Sequence, residues 1–389
     1  MTTATNNRIA SIDILRGLVM IIMALDHTRD FFHSTAMTAD PLDAATTTVP
    51  LFFTRWITHY CAPIFVFLSG LSAYLSSQRK SLKDASLFLI KRGAWLVLVE
   101  ITVVTLGLTF NPFFTFIILQ VIWAIGWSMI VLGLLIRFSY TAALVTGLLL
   151  FFGHNALDYA APATGVTGIF TTILFTARGS VFPINSDHMI LALYAIFPWT
   201  GVMLMGYCIG PWFKKDFSVQ RRRRLLIIAG SSLTILFIVL RLTGVYGDPG
   251  AWKPDNALFS FLDTSKYPPS LQYCCMTIGP ALLLLAFFEN IRAGWTKIVS
   301  VYGRVPFFYY VLHFYLLHTL LVIVFFASGY SVADIFNPQS PFAFRPMTFG
   351  FDLLIVYFIW IAVVALLYYP CIWFNKYKMT HQQWWLKYL

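Results

Sequence analysis

The chain has 389 residues, of which 59% are hydrophobic, 17% aromatic and only 11% charged, against about 25% charged residues in soluble domains. With a mean hydropathy of +0.74, this excludes a soluble enzyme with one anchor and predicts a polytopic membrane protein. The formal net charge of +11 falls in short loops between apolar runs, as orientation signals do. It therefore argues for a lipid bilayer as partner and against nucleic acid.

A spanning helix needs about 20 mainly apolar residues. Ten segments qualify, near 12–32, 57–76, 87–109, 114–136, 139–153, 189–211, 225–243, 270–288, 305–327 and 350–374. The loops "SSQRKSLKD", "KKDFSVQRRRR", "RAGWTKIVSVYGR" and "NKYK" all fall on one side if both termini lie there too, and the positive-inside rule makes that side cytoplasmic. The opposite loops, 33–56, 154–187, 244–268 and 328–348, are rich in Pro, Gly, Asn, Asp and Thr and read as irregular lids. The expected fold is an all-α polytopic membrane protein. It is a single bundle of about ten transmembrane helices forming one domain over 1–389, with both termini cytoplasmic. The first run starts with charges and lacks a small-residue cleavage site, so it is a retained helix rather than a signal peptide. The five Cys have no metal-ligand spacing and read as apolar fillers. HExxH, GxSxG, P-loop and CxxC motifs are absent from the sequence, so no metal is expected.

The first segment, "SIDILRGLVMIIMALDHTRDFFH" (11–33), carries Asp13, Arg16, Asp26, His27, Arg29, Asp30 and His33. On a 3.6-residue helix, Arg16 and His27 share a face, with Asp30 about 40° and Asp26 about 80° away. His27 lies roughly 16 Å above Arg16 along the axis. The polar residues form a stripe expected to face the bundle interior, and the arc of Val19, Ile21 and Met23 is expected to face lipid. "DHTRD" reads either as the wet outer end of a helix or as a reactive cluster. Ionisable groups inside a membrane are costly and usually functional. A His with carboxylates one before and three after it has candidate orienting partners, as a general base requires. His59, at the start of the second helix on the same side, either bonds the 33–56 loop or lines the acceptor site. His313 and His318 point about 140° apart, and His313 is favoured for the interior. Glu100, deep in the third helix, is expected to face Arg16 or Gln120.

"RIASIDILRGLVMIIMALDHTRDFFH" resembles the first segment of the heparan-alpha-glucosaminide N-acetyltransferase-like membrane family, in its bacterial form. "RWITHYCAPIFVFLSGLSAYL" is similar to the second. "ILQVIWAIGWSMI", "FPWTGVMLMGYCIG", "KYPPSLQYCCMTIGPALLLLA" and "YGRVPFFYYVLHFYLLH" resemble later segments in the right order. The resemblance implies a bundle of about ten or eleven helices that moves an acetyl group from cytosolic acetyl-CoA to an amino sugar on the far side. It places the catalytic His of the lysosomal members at His33 and their Asn near the helix end at His27. His27, His33, Asp26 and Asp30 are then the catalytic candidates, with His59 and His313 for the acceptor. Arg16, Arg92 and Arg304 are the candidates for the CoA phosphates, which suit the planar guanidinium. The Arg221–Arg224 run reads as topology and anionic lipid. The expected protein is an acyltransferase of the bacterial inner membrane, using acetyl-CoA or another acyl-CoA. Its acceptor would be a hydroxyl or amine of a glycan or lipid-linked sugar. Direct attack and an acyl-His intermediate both fit, and a homodimer stays open. The rival reading is a proton-coupled transporter or a lipid-linked substrate flippase, against which the chain shows no inverted repeat.

Overall fold

The computed structural model describes residues 9–159, 165–177, 179–337 and 340–388. Its helices are α1 (Ala10–Phe32), α2 (Val49–Thr58), α3 (Cys61–Ser77), α4 (Leu82–Val99), α5 (Thr105–Thr109), α6 (Val121–Phe138), α7 (Tyr140–Gly153) and α8 (Gly165–Thr171). They continue with α9 (Ile196–Cys208), α10 (Val219–Thr243), α11 (Ala257–Leu262), α12 (Leu271–Phe288), α13 (Gly294–Arg304), α14 (Pro306–Ala327) and α15 (Leu353–Thr380). Among the described residues, seven stretches are long and apolar enough to cross a membrane: the α2–α3 run, α6, α7 with the turn after it, α10, α12, α14 and α15. The chain is an all-α polytopic membrane protein. Each of the ten segments read from the sequence contains a helix, whole or broken.

α1 is the hub. It packs against α2, α3, α12, α13, α14 and α15, which explains how it can carry five Asp and Arg residues and keep most of its length buried. The expected lipid-facing arc is corrected by this packing. Val19 and Met23 are 2% and 5% exposed, because apolar neighbours surround the helix on that side as well. Against α13 the two backbones touch: a Cβ on Gly17 would collide with the Val299 carbonyl, and one on Gly303 with the Asp13 carbonyl. Small residues at such crossings let membrane helices approach closely.

Four local features depart from the sequence reading. The loop expected over 33–56 ends in α2, capped by the Thr48 hydroxyl accepting from the Leu51 amide and with Pro50 in its first turn. The segments expected from 114 and from 189 begin as strands. β1 (Phe116–Leu119) pairs in parallel with β3 (Met189–Ala192), which pairs antiparallel with β2 (Ser180–Pro183). "FIIL" follows Pro112 and the left-handed Phe110 and Phe114, so an extended start is favoured over a helical one. The "RAGWTKIVSVYGR" loop contains α13, wedged against α1 and α15. Between α4 and α5, residues Glu100–Val104 form a π-helical turn, a feature common at functional positions. All five Cys are buried and free, as fillers should be.

Candidate functional site

The polar stripe of α1 meets two different surroundings at its two ends. At the Arg16 end, Arg16 donates to Ser72 Oγ (2.7 Å) and to the Gly303 carbonyl (3.3 Å). Asp13 Oδ1 lies 3.7 Å from Arg16 Nη1, and Asp13 Oδ2 lies 3.9 Å from Arg304 Nε. Arg92, on α4, is within electrostatic reach of Arg16, and its buried Nε has no partner among the described residues. The three arginines expected to bind phosphate are thus brought together from α1, α4 and α13. With Asp13 they sum to a net charge of +2.

Eleven residues along α1, the polar groups are almost fully satisfied. Arg55 Nη1, from α2, donates to both Asp26 oxygens (2.7 and 2.5 Å). Arg29 Nη2 donates to Asp26 Oδ1 (3.1 Å) and to Asp30 Oδ1 (2.6 Å), and Thr58 Oγ1 donates to Asp26 Oδ1 (3.0 Å). A carboxylate with this many charge-assisted donors is held firmly. Asp26 and Asp30 therefore serve arginines. Among the described residues neither carboxylate is hydrogen-bonded to His27, whose ring nitrogen meets a different residue.

That residue is His313. His27 Nδ1 lies 2.6 Å from His313 Nε2, and the two rings stack at 4.9 Å between centroids. His313 Nδ1 faces the Tyr310 carbonyl. A carbonyl accepts only, so His313 Nδ1 carries the proton and donates. His313 Nε2 then accepts, and His27 Nδ1 donates to it. This leaves His27 Nε2 as a bare lone pair, with no hydrogen bond among the described residues. Phe314 stacks on the His27 ring at 4.5 Å and Tyr310 stands edge-on at 6.4 Å. The buried hydroxyls of Tyr309 and Tyr310 have no partner among the described residues. His318 does not join this group. Its nitrogens face the Leu108 and Ala343 carbonyls (3.0 and 2.9 Å), and its ring stacks on Phe110 at 4.0 Å.

His33 caps α1 beyond its last turn. Its Nδ1 accepts from the Thr35 amide (3.3 Å) and faces the Thr35 hydroxyl (3.0 Å). Arg345 Nη2 donates to the His33 carbonyl (2.7 Å) and Arg345 Nη1 to Pro346 and Phe349 carbonyls, pinning the 340–351 loop onto the helix end. Burial holds the His33 imidazole below its ordinary range, with Arg29 and Arg345 adding to the effect and Asp352 opposing it. His59 is 2% exposed. Its carbonyl accepts from Tyr273 Oη (2.7 Å), and its Nδ1 has no partner among the described residues. Glu100 Oε1 accepts from the Gln120 amide (2.9 Å), the Gln120 alternative of the sequence reading, though through backbone. Within the Arg221–Arg224 run, Arg222 is pinned to Glu289 and the Trp212 carbonyl, so one member of the run is structural.

Open clefts lie elsewhere. One of about 510 Å³ is bounded by the 42–45 turn, Arg241, Asp248, Asp263 and Ser265, and one of about 320 Å³ by Gln220, Arg223, Arg224 and Asn290. Sequence reasoning passed over Arg55, Thr58, Lys266 and Arg345. Arg55 stood in the quoted "RWITHYCAP", where it is the single permanently charged side chain. His59 drew the attention instead.

The family model described as heparan-alpha-glucosaminide N-acetyltransferase, catalytic, matches residues 8–241. A search of curated proteins finds no match to the chain. The matched stretch holds Arg16, Asp26, His27, Asp30, His33, Arg55, His59 and Arg92, while Lys266, Arg304 and His313 come from the part of the chain beyond it. Since more than half of the sequence is matched, the chain belongs to the heparan-alpha-glucosaminide N-acetyltransferase catalytic family of membrane acetyltransferases.

Proposed function

We propose that the protein transfers an acetyl or other acyl group from acyl-CoA to a hydroxyl or amine acceptor, with His27 as general base. The observation that carries this reading is the chain His27 Nδ1···His313 Nε2 (2.6 Å) with His313 Nδ1 on the Tyr310 carbonyl. It fixes His27 in the tautomer whose Nε2 accepts a proton. In the reaction, the acceptor heteroatom attacks the thioester carbonyl as its proton passes to His27 Nε2. The tetrahedral intermediate then expels the CoA thiolate, which takes up the proton held on His27 Nε2 and so regenerates the base. His313 positions the base, and charge forming on the His27 ring can spread to His313 through the shared hydrogen bond.

The donor enters at the Arg16–Arg92–Arg304 end, where the net charge of +2 suits CoA phosphates. The pantetheine arm follows the α1 face between Arg16 and His27 for roughly 16 Å. In this reading the arginine end is cytoplasmic, both termini lie there, ten helices span the bilayer and the acceptor is a glycan or lipid-linked sugar on the far side. The membrane is a bacterial inner membrane, and the whole of 1–389 acts as one domain. His33 and His59 lie at the same end as His27, and His33 is the second candidate for the base. A direct test uses the purified protein in proteoliposomes with radiolabelled acetyl-CoA and an envelope lipid and glycan extract. His27→Ala should abolish label transfer while acetyl-CoA still binds. Full transfer by the His27→Ala, His33→Ala double variant would end the assignment.

A further inference from the structure

Glu100 is 0% exposed and opens the π-helical turn between α4 and α5. Its Oε1 accepts from the Gln120 amide (2.9 Å), while Oε2 has no partner among the described residues. No ion pair reaches it among those residues either. A buried carboxylate without a cation is costly. As the neutral acid, Glu100 keeps Oε1 as its accepting oxygen and holds a hydrogen on Oε2, a donor with nothing in the fold to receive it. The turn packs against α14, where Tyr315 Oη donates to the Val103 carbonyl (2.8 Å). Tyr310, on the same helix, lies within electrostatic reach of Glu100 and stands edge-on to His27 at 6.4 Å. It is 3% exposed, and its hydroxyl too has no partner among the described residues. Leaving a buried donor unbonded is destabilising, so two of them beside one base call for an acceptor that arrives with the substrate. Arg29 and Arg55 are already bonded to Asp26 and Asp30, and the donors left free there are neutral ones.

We propose that Glu100 Oε2–H and Tyr310 Oη–H together form an oxyanion site, meeting the thioester carbonyl oxygen of the acyl group. This rests on the transferase reading and adds the two groups that its mechanism lacks. As the acceptor heteroatom bonds to the carbonyl carbon, the C=O π electrons move to oxygen, and the two donors stabilise the negative charge that develops there. When the C=O bond reforms, the C–S bond breaks and the thiolate takes the proton from His27 Nε2. Glu100 and Tyr310 keep their own protons throughout. A phenol and a carboxylic acid held neutral by an apolar setting can serve together in this way. The π-helical turn, a feature common at functional positions, supplies one of the two.

The test follows the acyl carbonyl itself. Acetyl-CoA with an isotopically labelled carbonyl carbon is bound to the full chain in lipid nanodiscs without acceptor, and its C=O stretch is read by isotope-edited infrared spectroscopy. In the wild type the stretch should lie below that of free acetyl-CoA. Tyr310→Phe and Glu100→Met should each move it back toward the free position. Glu100→Gln, which keeps an N–H donor at the same place, should retain most of the shift. In proteoliposomes with radiolabelled acetyl-CoA and an envelope lipid and glycan extract, Tyr310→Phe and Glu100→Met should each lower kcat about 10²–10³-fold, with acetyl-CoA affinity unchanged. Tyr310→Phe removes a hydroxyl that bonds nothing in the fold, so it should not lower the melting temperature, and it carries the test if Glu100→Met does not fold. A carbonyl stretch that Tyr310→Phe and Glu100→Gln both leave as in the wild type, or wild-type kcat in Tyr310→Phe, overturns the oxyanion assignment and leaves the transferase reading standing. No acetyl-CoA-dependent labelling by the wild type would bring down the transferase reading and this proposal with it.

Discussion

The two ends of α1 carry similar residues in different states of pairing. At the Asp26 end, one carboxylate collects four donor contacts from Arg29, Arg55 and Thr58, and every charge on the helix has a fixed partner. At the Arg16 end, Arg16 and Arg304 share Asp13, and Arg92 has a buried nitrogen with no partner among the described residues. A satisfied cluster builds a frame, and an under-satisfied one waits for a ligand. Arg92, whose buried Nε has no hydrogen-bond partner among the described residues, is the one proposed to be of the second kind. The Asp26–Arg55 knot is of the first, although it contains the residues that look most reactive on paper.

The comparison breaks most decisively at His27. It sits beside the frame but is not bonded to it, so His27→Ala should keep the protein folded and lower transfer by about 10²–10⁴, the usual worth of a general base. Turnover per folded molecule measures this. Next in size is the frame itself. Arg55→Met removes the one donor that reaches both Asp26 oxygens and leaves Asp26 to Arg29 and Thr58, which should cost up to about 3–5 kcal/mol of stability. Chemical denaturation in mixed micelles reads it, and a stability change below about 1 kcal/mol would show that the knot is not structural. At the other end, Arg92→Ala or Arg304→Ala should leave melting unchanged and weaken acetyl-CoA binding by about 1.5–3 kcal/mol, as followed by calorimetry. Unchanged affinity in both would remove these arginines from the donor site.

The smallest effect concerns pH. His33 is held below its ordinary range, so it is neutral in the fold and charges more readily in the unfolded chain. Its contribution to stability is full above the unfolded value near 6.5 and is lost as pH falls from there toward the folded value. Acidification from pH 7.5 to 5 should therefore speed hydrogen exchange in the 340–351 loop that Arg345 ties to His33, and His33→Gln should flatten that dependence. An unaltered pH profile in the variant would place the titrating group elsewhere.

Much of this contrast is legible in the sequence, and the reasons for the remainder are physical. The stripe on α1 follows from helical spacing alone, and basic loops mark the helix connections. Arg16, Arg92 and Arg304 were expected at one end, and the structure brings them together there. What the spacing could not carry is pairing across the chain. His27 and His313 are 286 residues apart, and no local pattern announces that their rings stack. The sequence neighbours of His27, Asp26 and Asp30, suggested a nearer partner. α2 was hidden because Pro and Thr residues around 46–50 read as loop, while they act as cap and first turn. The strands were hidden because "FIIL" and "MILA" adjoin apolar helices and extend their hydropathy without a break.

The contact between α1 and α13 has a mechanical corollary. With Gly17 and Gly303 so close to the facing carbonyls that no methyl group fits, α1 can neither roll nor slide past α13 without first separating from it. Trp360 Nε1, donating to the Ile21 carbonyl (2.8 Å) from the α15 side, adds a second tether farther along. A carrier that works by rocking one half of a bundle over the other needs greased surfaces at its centre. Here the central helix is instead a keyed shaft, and in the transferase reading proposed above an acceptor comes to His27 along the gaps between helices or under the loops, while the shaft stays still.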